Sequence, residues 1–361
     1  MMVKRTGTQF PDEFYSSIAK LEVEDNADSA GTFNLRLGFV RDERGNWIFP
    51  AEQYLQLFEN ISISARFESG NKVNLIDAYV TSVNVHIDSS EKESFIEIQG
   101  MDSTILMNLE EKEVSWVGKS DSEIAEIIFK QYQFIPKVKP TIKPPREEEY
   151  TVIQRGTDIE FLKKLAYRNG YECYVEKTSP EGNPTGFFQS PKVDETPQGK
   201  LYLHFDEKTN LVSLDIATDG IRPISAELKQ KNAISNETII NQNDKSEIIK
   251  LGKTNLAQLF KDKMGNKPLP KILLSRHGTD NKYEIEQIVN SVIDDGSWFI
   301  KAKGLVNATK YASILVAKKL VEIYGAGDTY SGRYYITKVI HRFTSESYVQ
   351  EFEAKRNALR I

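Results

Sequence analysis

An α+β fold, mainly β, is what the sequence predicts, and three observations predict it. Residues 1–110 and 201–361 carry short segments of period-two hydrophobicity separated by polar turns, while parts of the intervening stretch switch to helical spacing. Each strand-rich region contains the same hairpin pattern, "YVTSVNVHIDSSEKESFIEIQGMD" at 79–102 and "RYYITKVIHRFTSESYVQEFEAKR" at 333–356. The five or six short strands of the first region, joined by polar turns, suit a small barrel or a sandwich.

In the first region "IAKLEVED" and "TFNLRLGF" flank the turn-forming "DNADSAG"; "ISISARF" and "GNKVNLIDAYVTSVNVHI" follow, and the hairpin return closes the set. Tyr79, Thr81, Val83, Val85 and Ile87 alternate with Val80, Ser82, Asn84, His86 and Asp88, the pattern of a strand with one buried face. Tyr335, Thr337, Val339, His341 and Phe343 take the same places in the second copy. Ile96 and Ile98, or Phe352 and Ala354, carry the return strands, after turns rich in residues that bond their own backbone.

Between residues 111 and 200 the period changes. "SDSEIAEIIFKQY" opens with Ser120 and, three residues on, Glu123, a capping box that satisfies two free amides at a helix start. Ile124, Ile127 and Ile128 form its apolar stripe. "PKVKPTIKPPREEEY" interrupts regular structure, because proline neither donates to a ladder nor continues a helix. "TDIEFLKKLAYRNGYECYVE" then reads as a helix capped by Thr157 or Asp158, with Phe161, Leu162 and Leu165 inward, stopped by Gly170 and followed by a strand. "KTSPEGNPTGFFQSPKVDETPQGK" reads as a connecting loop. From 201 onward come strands at "LYLHF" and "LVSLDIAT", a polar insertion at about 232–282, a helix at "YEIEQIVNSVID", strands at "SWFIKAKG" and "KLVEIYG", and the final hairpin.

Composition excludes several classes. With 47 basic and 52 acidic residues the net charge is −5, so no overall basic field points to nucleic acid as the main partner. Cys173 is the only cysteine, so no intrachain disulfide forms. The start, "MMVKRTGTQFPDEFY", has no apolar run behind its basic residues, and no stretch approaches the ~18 apolar residues of a span; neither a signal peptide nor membrane insertion is expected.

Chemistry-bearing motifs are sparse. "LGKTN" ends like a phosphate-binding loop, but Glu247 stands where that loop needs its first glycine. "YGAGDTYSGRYY" joins two strands, whereas a dinucleotide site opens a helix with its glycines. His86, His204, His277 and His341 lack ligand spacing, so neither a metal nor a cofactor is expected. No Gly-x-Ser-x-Gly elbow is present. Glu147, Glu148 and Glu149, and Asp294 and Asp295, are the carboxylates on which a peptidoglycan hydrolase, the alternative reading, would draw. A glycan- or receptor-binding module is a third.

The segments above carry a resemblance in order along the chain: "LEVEDNADSAGTFNLRL", "DAYVTSVNVHI" through "FIEIQGMD", "VGKSDSEIAEIIFKQY" with "VIQRGTDIEFLKKLAYRNGYECYV", and "SWFIKAKG" with the C-terminal hairpin. Together they resemble the late control D, or baseplate hub, proteins of contractile phage tails and injection systems, which also form the hub portion of type VI secretion spike proteins. That resemblance implies two tube-protein-like β-barrels, at 1–110 and 201–361, around a connecting α+β unit at 111–200. It implies a non-enzymatic homotrimer that adapts a trimeric spike protein to a hexameric inner tube protein and initiates tube assembly, beside other baseplate proteins, with assembly in the cytoplasm before incorporation into the tail or particle. A threefold object matches a sixfold one when each subunit supplies the docking surface twice. The tube and subunit interface is expected at Tyr79, Val83, Val85, Ile98, Tyr335, Val339, Phe343 and Phe352, and the spike side at Asn357, Leu359 and Ile361, with the spike itself a separate chain.

Overall fold

The computed structural model describes residues 1–5, 8–38, 44, 55–67, 72–90, 93–142, 151–178, 182–231, 236–274 and 282–360. The first region begins with β1 (Met2–Arg5), β2 (Thr8–Gln9) and α1 (Asp12–Ser17), which the sequence reading missed. There follow β3 (Ile18–Asn26), β4 (Thr32–Gly38), β5 (Asn60–Ala65), β6 (Val73–His86) and β7 (Phe95–Asp102). Alternation places Leu21, Val23, Phe33, Leu35, Ile61, Ile63, Ile96 and Ile98 in one core, which α1 joins through Phe14.

The connecting unit holds β8 (Glu111–Val117), α2 (Asp121–Gln131), β9 (Ile135–Val138), β10 (Thr151–Thr157), α3 (Asp158–Arg168), β11 (Glu172–Glu176) and β12 (Thr185–Gln189). Both helices start in capping boxes, Ser120 with Glu123 and Thr157 with Glu160, so Thr157 rather than Asp158 is the cap. Gly170, at φ +64, follows the end of α3 in a left-handed conformation that suits glycine. Two sequence expectations are corrected here. The stretch 177–200 contains β12, because Phe187 and Phe188 are buried against β11 and the helices, a gain that outweighs the flanking turn residues. Pro136 lies within β9, at the edge of the order β11-β12-β9, the one kind of strand position that tolerates a missing amide.

The second region comprises β13 (Lys200–Tyr202), β14 (Leu211–Thr218), β15 (Ser225–Lys231), β16 (Thr238–Asn243), α4 (Leu256–Met264), β17 (Lys271–Leu274) and α5 (Lys282–Ser297). Next come β18 (Ile300–Asn307), α6 (Ala308–Tyr311), β19 (Leu320–Tyr324), α7 (Gly327–Tyr330), β20 (Gly332–Thr344) and β21 (Tyr348–Arg356). The excursion between β14 and β18 runs from 219 to 299, wider than the polar stretch at 232–282. Its sheet β16-β15-β17 packs on α5 through Leu228, Ile285, Val289 and Ile293.

One 13-stranded sheet spans both strand-rich regions in the order β14-β18-β21-β20-β3-β4-β7-β6-β5-β1-β2, with β19 beside β20 and β13 beside β19. Its two halves meet where β20 pairs antiparallel with β3, from Lys338 opposite Asn26 to Thr344 opposite Lys20. The second half has its own core around Leu211, Ile300, Ala302, Tyr334, Ile336, Val339 and Phe352.

Candidate assembly interface

The two hairpins agree in more than pattern. β6 and β7 slip register between Val80 and Ser82; β20 and β21 slip between Ile336 and Lys338, the same place in the repeat. The skipped residue is a threonine in both, and its hydroxyl donates across the hairpin: Thr81 to the Gln99 carbonyl at 3.3 Å, Thr337 to the Glu353 carbonyl at 3.2 Å. The strand alongside also repeats. The amides of Phe58 and Lys318, both at positive φ (68° and 62°), donate to the carbonyls of Val80 and Ile336, each at 2.8 Å. The Val80 and Ile336 amides donate back to Glu59 and Lys319, each at 2.9 Å. A bulge at one shared threonine, with one shared side-chain bond, marks a repeated unit and not merely two similar hairpins.

That bulge corrects the expectation of a single face running from Tyr79 to Ile87. It moves the inward parity from Ile76, Ala78 and Val80 to Val83, and likewise from Tyr334 and Ile336 to Val339. Tyr335 turns to the opposite side, where it meets Trp298 and Leu320 and its hydroxyl donates to Glu172 at 2.6 Å.

The residues expected at the interface therefore fall into two groups. Ile98, Tyr335, Val339 and Phe352 are core residues of this chain, and Phe343 reaches across the β20–β3 junction into the first core beside Leu21. They hold the hairpins in place but present no surface. Tyr79 and Val83 are half-buried, and Val85 is 52% exposed. On the expected spike side, Asn357 is buried: it accepts from the Leu251 amide at 2.9 Å and donates to the Ile249 carbonyl at 3.0 Å. Leu359 bridges Thr254 and accepts from Lys253 at 2.7 Å. The "LGKTN" stretch is thus the seat of the residues that follow β21, and Gly252 is needed there because an added Cβ would lie 2.2 Å from the Leu359 carbonyl. Ile361 lies outside the described residues, as do His277, Glu147, Glu148 and Glu149.

The sequence reading places β14 as a strand but names none of its residues at the interface, and it likewise omits from the interface the exposed apolar side chains Phe58 (71%) and Ile87 (63%). Leu214 and Ile216 of β14 stand half-covered at the open end of the sheet. The signal available was the repeat itself: an edge that a strand occupies in one copy and that, among the described residues, no strand occupies in the other.

The connecting unit locks the internal junction. Lys318 pairs with Asp25 of β3 and, at 2.9 Å, with Glu176 of β11. Burial works against its charge, but the two carboxylates outweigh it and hold the ammonium's pKa above the ordinary value. Lys338 meets Glu24 at 2.8 Å and Arg342 meets Glu22 at 2.6 Å along the same seam.

Two of the carboxylates on which a hydrolase would draw are hydrogen-bonded within the chain. Asp294 accepts from the Ser246 hydroxyl at 2.6 Å, and Asp295 accepts from Arg222 at 2.6 Å. Both line a cleft of about 430 Å³ that Cys173 also borders, where burial pushes the thiol up to about 12, far from a reactive thiolate. Among the described residues no three His, Cys, Asp or Glu side chains gather as metal ligands, and no helix is long and apolar enough to cross a membrane.

A family model described as Alg8 N-terminal domain matches residues 1–345. The chain belongs to that family. No curated protein matches this Alg8 N-terminal domain chain. Solved structures share its fold. The 43 kDa tail protein of prophage MuSo2 from Shewanella oneidensis superimposes with a TM-score of 0.69 at 12% identity, covering 99% of this chain and 98% of the other. A tail protein from Neisseria meningitidis MC58 gives 0.66 at 11%, covering 99% and 96%. An E. coli component of the type VI secretion system, described as structurally similar to the T4 tail proteins gp27 and gp5, gives 0.58 at 13%, covering 99% and 77%. The resemblance drawn from the sequence is therefore met at the level of fold: mainly β, with phage tail and type VI secretion proteins as its structural neighbours.

Proposed function

We propose that the chain is a structural, non-enzymatic component of a contractile tail or injection particle: a trimeric baseplate hub that adapts a trimeric spike to a hexameric inner tube and starts tube assembly. One observation supports this above others. The chain builds the same hairpin unit twice, with the same bulge, threonine bond and flanking positive-φ residue, and joins the two units edge to edge. Three copies then offer six equivalent units to a sixfold partner on one side and three chains to a threefold partner on the other. The fold shared with tail and type VI secretion proteins supports the same setting. On this reading residues 1–110 and 201–361 form the two tube-like barrels and 111–200 the brace between them. The spike, the inner tube and other baseplate proteins are the partners, met in the cytoplasm during assembly.

Deletion of the gene from its native locus tests the proposal. Electron microscopy should then show no tube-bearing particles, and the Val85→Asp variant should fail to restore them. Purified protein should leave cell-wall suspensions turbid. Complete tubes in the deletion strain would overturn the reading. Val339→Asp is not informative, since Val339 is fully buried and its loss would unfold the hairpin.

A further inference from the structure

We infer that the ring closes by repeating the β20–β3 junction between chains, β6 of one copy pairing with β14 of the next through an apolar seam that replaces the ion-paired one inside the chain. The inference rests on the trimer reading and names its contacts.

The ladder gives the register. Leu21 lies opposite Leu35, and Leu35 opposite Ile98; Leu214 lies opposite Gly304, and Gly304 opposite Phe352. Ile98 and Phe352 hold the same place, opposite Val83 and Val339, so Leu214 corresponds to Leu21. By the same path Ile216 corresponds to Val23, and β14 to β3. Within the chain Phe343 faces Leu21, His341 faces Val23 and Val339 faces Asp25. Between chains, Ile87 then faces Leu214, Val85 faces Ile216 and Val83 faces Thr218.

Exposure agrees with this pairing. His341, Phe343 and Lys318, which occupy the internal junction, are 2%, 8% and 7% exposed; their counterparts Val85, Ile87 and Phe58 are 52%, 63% and 71% exposed. On the receiving side Leu21 and Val23 are fully buried beneath β20, whereas Leu214 and Ile216 are half-buried. Each uncovered apolar side chain stands where its counterpart is covered by a neighbouring strand, and an open edge with such a row is a template for another chain.

The chemistry of the two seams differs. Lys338–Glu24 corresponds to Ser82 and Ala217, Lys318–Asp25 to Phe58 and Thr218, and Arg342–Glu22 to His86 and Asp215. Exchanging partners, β6 onto β3 or β20 onto β14, would leave Glu24, Asp25 or Lys338 without a counter-charge. The seams therefore select their own partners, and such selection works by penalising the wrong pair.

Paired cysteines in the full chain test the register. Asn84 and Ala217 are exposed and fall opposite one another across the proposed seam, while Asn84 and Asp219 fall on a diagonal about 7 Å apart or more. The wild type should sediment as a trimer that persists in high salt. Oxidised Asn84→Cys/Ala217→Cys should run as a covalent trimer on a non-reducing gel, and Asn84→Cys/Asp219→Cys largely as monomer. Val85→Asp/Ile87→Asp should sediment as monomer with unchanged circular dichroism. A trimeric wild type whose two cysteine pairs link alike, or whose registered pair does not link, overturns the seam and leaves the trimer standing. A wild type that stays monomeric overturns both.

Discussion

His341 shows how one buried side chain sets a pH response. Burial lowers its imidazole from 6.5 to about 4, and Nδ1 shares a hydrogen bond of 2.8 Å with the Tyr348 hydroxyl. The unfolded chain takes up a proton near 6.5 that the folded chain refuses until about 4. Stability is therefore full above 6.5 and falls as pH drops through that window, by on the order of 3 kcal/mol. Urea midpoints measured at pH 7 and pH 5 should differ less in His341→Asn than in the wild type. Lys318 predicts a comparable loss. Replacing it with Met leaves Asp25, and the partly exposed Glu176 beside it, without their shared cation, at a cost of about 3 kcal/mol. Adding Glu176→Gln should recover part of that, as read by the same denaturation curves.

At the scale of elements, the capping boxes were legible because they are local: Ser120 and Glu123, or Thr157 and Glu160, need only a spacing of three. Ser120→Ala and Thr157→Ala should each cost about 1 kcal/mol or more, since beyond the cap each hydroxyl also donates to a side chain, Ser120 to Glu123 at 3.1 Å and Thr157 to Asn108 at 2.9 Å. Thermal unfolding of the two variants checks both losses. The strands around both hairpins were legible for the same reason of local period. The bulge was not, because a threonine suits either a regular strand or a skipped residue, and only the partner strand decides. β12 was hidden by its glycine- and proline-bearing flanks, and its burial depends on helices distant in sequence. The interface residues were read from pattern alone, which locates an apolar row but not the side from which it is covered. Five of those eight residues belong to the chain's own core.

For the whole molecule, association and folding stability are linked on the trimer reading. A ring that binds only folded chains raises their melting temperature with concentration. Differential scanning fluorimetry over a dilution series should show that rise in the wild type and a flat response in Val85→Asp/Ile87→Asp. A wild type as flat as the variant would count against assembly by this protein alone. The resemblance in sequence pointed to this scale first, because the order of segments along the chain survives where individual contacts do not.

The excursion at 219–299 occupies the position where the other repeat has only the short turn after Asn26. Any polymer built by propagating this chain would carry bulk at alternate corners. On the hub reading the excursion would occur once per chain and the hairpin unit twice, so that one partner could count chains while a sixfold partner counts repeats.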